Sequence, residues 1–156
     1  MKLLAIDPGN IESAYLMYHT GQAMPNEWAK MPNEHIFNVL DRPDRPDLLA
    51  IEMIASYGMA VGKEVFATCV WIGRFIEHWG GDFRLVYRAE VKMHLTHTNR
   101  SKDANVRQAL IDKFGPGKDL AIGRKAAPGP LYGLTGDCWS ALGVAVTAAE
   151  TKESRG

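Results

Sequence analysis

Three acids stand where acids are either costly or conspicuous: Asp7, Glu52 and Asp137. Asp7 ends the apolar run Leu3-Leu4-Ala5-Ile6 and is followed by the turn pair Pro8-Gly9. Glu52 sits near the end of a second apolar run, Leu48 to Ile54. Asp137 opens the segment Gly136-Asp137-Cys138-Trp139-Ser140-Ala141. A carboxylate at the tip of a buried strand is costly unless something pairs with it. Taken singly, each acid has a plain reading: Asp7 starts a turn, and Asp137 complements a helix dipole. Taken together, they offer oxygen ligands to a hard divalent cation. Two carboxylates about 4 Å apart repel by ~4 kcal/mol at an effective dielectric near 20. Convergence of these acids therefore implies a bound cation or at least one raised pKa.

The elements that must position them follow from apolar patterning. The opening run reads as a buried strand covered on both faces. Ile11 to Thr20 holds a second strand around Ala14–Tyr18, and Thr20-Gly21 marks a turn. Gln22 to Met31 reads as a third strand, with Pro25 pointing to an edge position. Asn33 to Leu40 reads as a short helix with Asn33 as its N-cap, and residues 41–47 as a rigid polar connector. Leu48 to Ile54 repeats the opening: an apolar strand with one acid near its end. In a parallel sheet those two ends lie side by side, on the edge where sites form. Met59 to Trp79 reads as the longest helix, closed by Gly80-Gly81. A strand over Phe83–Tyr87, a short helix over Ala89–Leu95 and a polar loop over His97–Lys102 follow. Asp103–Phe114 is amphipathic, and Gly115–Gly133 is a long loop rich in Gly and Pro. A last helix is expected from about Thr135 to Glu150, placing Asp137 in its first turn, with a frayed tail at residues 152–156.

The chain has 156 residues, enough for one domain with a proper core, and residues 1–156 are read as one. No apolar run approaches membrane-spanning length, and the N-terminus lacks a signal-peptide pattern. With only Cys69 and Cys138, no disulfide framework or zinc motif is indicated, and a cytoplasmic setting is expected. Formal net charge is zero, but it is unevenly spread. Arg84 to Lys125 holds ten basic residues against four acidic ones, an excess of roughly +6. That is the footprint expected where one face meets phosphate.

Asp7-Pro8-Gly9 closing strand one, Ala50-Ile51-Glu52 closing strand four, and an acid opening a last helix of small residues resemble the RuvC family of Holliday junction resolvases. That family belongs to the ribonuclease H-like superfamily. Val91-Lys92 after Arg88-Ala89-Glu90, then a polar loop and a helix near Asn105-Val106, agree with its order. Lys102-Asp103-Ala104-Asn105 and the stretch Ala126 to Gly133 are more similar to bacteriophage-encoded members than to bacterial ones. There are two departures. Ser140 stands where the family carries a second acid, three residues after the first. Lys102 lies about one residue out of register with a family lysine.

The resemblance implies an α/β, ribonuclease H-like fold. Its central five-stranded mixed sheet has three antiparallel N-terminal strands and then parallel ones, flanked by helices. It implies a homodimeric, Mg²⁺-dependent endonuclease that cuts four-way DNA junctions by paired nicks, with Mn²⁺ able to substitute and no small-molecule cofactor. A cation held by Asp7, Glu52 and Asp137 suits in-line phosphodiester hydrolysis. Lys92 is a catalytic candidate beside the phosphate, and Ser140 is expected to act only through water. Arg88, Lys92, Arg100, Lys102, Lys118, Arg124 and Lys125 are candidates for DNA contact. Tyr57, in the loop after Glu52, is a candidate wedge between bases, and packing is its competing role. Phe66, Trp71, Phe75 and Trp79 are read as core and dimer-contact residues. Two other functions fit the same residues: a broader flap- or fork-cutting nuclease, and a junction-binding protein that does not cut. An actin-like ATPase relative also opens on a strand ending Asp-x-Gly, but two lobes do not fit in 156 residues.

Overall fold

The computed structural model describes residues 1–151. The expected frayed tail, 152–156, lies outside the described residues. The chain runs β1 (Lys2–Asp7), β2 (Glu12–His19), β3 (Met24–Pro32), α1 (Asn33–Leu40), β4 (Leu48–Met53), α2 (Lys63–Trp79), β5 (Phe83–Tyr87), α3 (Arg88–Thr96), α4 (Asp103–Phe114), α5 (Lys118–Ala121), β6 (Gly123–Arg124), β7 (Ala127–Pro128) and α6 (Cys138–Glu150). The main sheet has five strands in the order β3-β2-β1-β4-β5. β1, β2 and β3 are antiparallel, whereas β4 is parallel to both β1 and β5. Pro25 does lie on an edge strand, where a missing N–H costs little.

Period-two alternation divides the core. Leu3, Ala5, Ala14, Leu16, Ala50 and Val86 pack with α6 and with Val91 and Val106. Leu4, Ile6, Tyr15, Leu49 and Ile51 pack with α1 and α2 on the opposite face. α6 is buried on nearly all sides, which explains its small and apolar composition. Gly143 of α6 lies so close to α3 that a Cβ there would sit 3.0 Å from Val91.

Four expectations need correction. Asn33 is not a capping residue: Pro32 holds that position, and the Asn33 side chain turns inward. α2 starts at Lys63 rather than Met59, because Tyr57 and Gly58 are both left-handed in a turn closed by Met59 N–H to Ser56 O. α6 starts at Cys138 rather than Thr135, so Asp137 is its N-cap residue. The loop at 115–133 is not structureless; it holds α5 and the β6–β7 hairpin. Among the aromatic residues of α2, Phe75 and Trp79 are buried and Trp71 is partly buried, while Phe66 is exposed.

Candidate active site

The register of the sheet brings the first two acids together. β1 and β4 pair through Ile6 and Ile51, so Asp7 and Glu52 are the next step along parallel neighbours. Both share the parity of Ala5 and Ala50, so both belong to the face that α6 covers. The same row continues across the sheet, because Asp7 pairs with Ala14 and Ala14 with Lys30. Ala14, small and fully buried, is the residue between Lys30 and Asp7 in that row.

A buried polar clamp fixes the turn after Asp7. The Asn33 amide donates to Gly9 O at 2.9 Å, and Ser13 Oγ donates to Asn33 Oδ1 at 2.5 Å. Gly9 N–H donates to Ser13 Oγ at 3.1 Å, and Asn33 N–H to Ile11 O at 2.9 Å. Asn33 and Ser13 are almost fully buried, so each bond replaces one that water would otherwise make. A Cβ at Gly9 would stand 2.3 Å from Glu12 O, so only glycine fits the turn.

The acids are held in a medium that resists their charge. Burial, the facing Glu52 carboxylate and then Asp137 push Asp7 up to about 8, well above its ordinary 3.8. Burial also raises Glu52. The two titrate as a pair that shares a proton. Glu52 Oε1 and Arg88 Nη1 lie 3.9 Å apart, and both are buried without a hydrogen-bond partner among the described residues. The other arm of Arg88 donates to Asp103 Oδ1 at 2.5 Å and holds Asp103 below its usual range. Asp137 does not join the pair directly. Its carboxylate makes a 2.7 Å ion pair with Lys30 Nζ, in which both side chains are about half exposed.

Among the described residues, no three acid, His or Cys side chains are gathered closely enough to hold a metal ion. The donors nevertheless suit a hard cation. Asp7 and Glu52 present only oxygen, one Glu52 oxygen lacks a partner, and the pair takes up a proton where a cation would relieve the same repulsion. Asp137, paired with Lys30, is a further oxygen donor that lines a neighbouring cleft. Two clefts flank this centre. One, of about 380 Å³, is lined by Arg88, Asp103, Arg107, Asp137, Trp139 and Ser140 among others. The other, of about 310 Å³, includes Glu52, Tyr57, Arg88, Asp103 and Ser140. Ser140 thus faces both acids' clefts, and Tyr57 stands highly exposed on the rim.

The remaining predicted residues divide into two sets. Lys92, one turn beyond Arg88 on α3, is close enough to Asp103 to help lower it, but it does not enter either cleft. Arg100 and Lys102 lie in the loop before α4. Lys118, Arg124 and Lys125 lie beyond the far end of α4, whose 12 residues span ~18 Å. Arg124 lines a separate depression with Asp119, Gly123 and Ala127. The basic segment is also less available than its composition suggests. Arg84 is buried and donates to Thr151 O and Thr151 Oγ1 at 2.9 Å, so it does not face phosphate. Lys113 pairs with Glu150, and Arg107 stacks over Trp139 at 4.4 Å. Sequence reasoning missed Lys30 and Asp103. Lys30 carries no local signal; only the strand pairing Asp7–Ala14–Lys30 reveals it.

No protein-family model matches the chain, and no curated protein matches it in sequence. Solved structures do. The Thermus thermophilus RuvC structure superposes with a TM-score of 0.65 at 18% identity, over 96% of this chain and 93% of that one. T. thermophilus RuvC in complex with a Holliday junction substrate gives 0.63 at 18% identity, with the same coverage. At this identity the likeness is one of architecture: the chain has the RuvC fold.

Proposed function

We propose that this protein is a structure-selective DNA endonuclease that resolves four-way junctions as a homodimer. One observation carries the reading: Asp7 and Glu52 are adjacent at the C-terminal ends of parallel strands, facing the helix that Asp137 opens, on a RuvC fold. That one solved RuvC structure holds a Holliday junction supports the substrate class. Asp7, Glu52 and Asp137 would hold Mg²⁺ or Mn²⁺. A divalent cation there supplies Lewis-acid stabilisation of charge building on the phosphate oxygens. The protein's own residues do the rest. The Asn33 clamp holds Asp7 in place, and Arg88, itself held by Asp103, balances the charge of Glu52. Lys92, Arg100 and Lys102 offer positive charge on the same side, and Tyr57 offers an exposed ring to the bases. The phage-type resemblance of the Ala126–Gly133 stretch belongs to the same proposal, with action in a host cytoplasm. Among the described residues, no helix is long and apolar enough to cross a membrane.

A dimer is supported by α2. Phe66 and Val70 sit one turn apart on that helix, 63% and 62% exposed. Two apolar side chains at i, i+4 on an outer helix form a self-complementary stripe suited to a two-fold contact. Ser140, in place of a second late acid, favours one alternative: a protein that binds junctions without cutting them. The test is cleavage of a labelled mobile four-way junction, a flap and a linear duplex, with Mg²⁺, with Mn²⁺ and with chelator. Paired nicks in the junction that require a divalent cation are expected. Binding without cleavage under both metals would favour the alternative, and equal cutting of flaps would broaden the substrate.

A further inference from the structure

The Lys30–Asp137 ion pair ties an edge strand to the site. Lys30 lies on β3, and its cross-strand row leads through Ala14 to Asp7. Its ammonium stands 2.7 Å from Asp137 Oδ2. Asp137 opens α6 but makes no capping bond with its own helix. The chain therefore spends this carboxylate neither on its helix nor on Asp7 and Glu52, but on one lysine. Resting on the functional reading above, we propose that Lys30 is a positioning residue. It holds Asp137 in the cation-free protein and yields it when a divalent cation binds Asp7 and Glu52.

Three features support this. Without Lys30, Asp137 would stand as an unbalanced negative charge beside the acid pair; Asp137 is among the groups that raise Asp7. A half-exposed ion pair is weak enough to be exchanged, because such pairs contribute little net stability. Lys30 is a long, half-exposed side chain on an edge strand, so it can withdraw its ammonium into solvent without moving β3. Lys30 thus competes with the cation for one ligand. Its release leaves a free ammonium on the sheet face beside the site.

The test is Mn²⁺ affinity of the full chain without DNA, read from free Mn²⁺ by electron paramagnetic resonance. Lys30→Met keeps the aliphatic stem and, on a half-exposed edge position, leaves no cavity. It should bind Mn²⁺ about twofold to fivefold more tightly, the range open to a partly exposed pair. Lys30→Arg should stay near the parent. In an Asp137→Asn background, Lys30→Met should gain almost nothing, because the two effects act through one contact. Unchanged or weaker affinity in Lys30→Met would overturn the inference, with Lys30→Gln as a second variant should the first fail to fold. An equal gain in the Asp137→Asn background would also overturn it, since general charge repulsion would then suffice. The site reading fails separately: parent-like Mn²⁺ binding by the Asp7→Asn, Glu52→Gln double variant would refute it whatever Lys30 does. Absence of any Mn²⁺ binding by the parent would sink both.

Discussion

At the scale of single residues, the proposed chemistry rests on a pair of buried carboxylates, and two predictions follow. Asp7→Asn and Glu52→Gln each remove charge without changing size, so each should abolish junction cleavage while leaving binding near the parent level. Cleavage above a few per cent of the parent rate by either variant would mean that the site is misplaced. The second prediction concerns stability. The folded state holds Asp7's proton to about 8, whereas an unfolded Asp releases it near 3.8. Between those limits the folded state binds more protons than the unfolded one, so stability falls as pH rises through the window. The pair therefore destabilises the cation-free protein most at pH 8 and little near pH 4. Asp7→Asn should accordingly raise Tm in chelator at pH 8, by ~2–4 °C for each kcal/mol relieved. The gain should shrink toward pH 4, and thermal melts across that range check it. A Tm difference independent of pH would show that the pair shares no proton in the folded state.

At the scale of elements, the sequence disclosed which strands carry acids but not how the turns hold them. Asp7 and Glu52 were legible because each interrupts an apolar run. The Asn33 clamp was not, since an asparagine ahead of a helix reads first as a cap. Its true partners, Gly9 and Ser13, lie 24 and 20 residues away. Lys30 was hidden for the same reason: cross-strand pairing is long-range, and strand periodicity alone does not give register. The start of α6 was misplaced by about a turn because Thr135, Gly136 and Asp137 all suit a helix entrance. Asn33→Ala should leave Gly9 O and Ser13 Oγ short of partners in a buried site. It should destabilise the fold by ~1–3 kcal/mol, measured by urea unfolding, and slow cleavage by loosening Asp7. Full activity in a destabilised variant would confine the clamp to folding. Ser140 is a separate case, three residues after Asp137 and open to both clefts. Lacking charge, it should matter less than Asp137. Ser140→Ala should slow cleavage roughly tenfold or less, and Asp137→Asn should abolish it. The reverse order in steady-state rates would move the third ligand one turn along α6.

At the scale of the whole molecule, the proposed function asks a protein of zero formal net charge to hold a strongly charged substrate, so the distribution of charge would decide binding. Composition assigned ten basic residues between Arg84 and Lys125 to one phosphate-facing surface. Folding withdraws four of them: Arg84 to Thr151 and Glu90, Arg88 to Glu52 and Asp103, Lys113 to Glu150, and Arg107 to the Trp139 ring. The six that remain, Lys92, Arg100, Lys102, Lys118, Arg124 and Lys125, have no ion-pair partner among the described residues. Along the chain they form two groups, Lys92, Arg100 and Lys102 before α4 and Lys118, Arg124 and Lys125 after it. The proposed junction substrate would draw on both groups, and the salt dependence of binding shows whether each takes part. About six phosphate contacts per protomer should cost on the order of 10³-fold in affinity for each protomer engaged between 50 and 200 mM salt. Replacing Lys118, Arg124 and Lys125 together by Gln should lower the slope of log K against log salt by about 3 per protomer, since each lost contact contributes ~0.9. Cleavage at saturating DNA should survive, as these residues stand away from the acids. Arg84→Gln should leave the slope unchanged and lower Tm instead, because its bonds join β5 to the end of α6. Binding isotherms at four salt concentrations distinguish these outcomes. An unchanged slope in the triple variant would remove the segment after α4 from the DNA contact and leave Lys92, Arg100 and Lys102 alone.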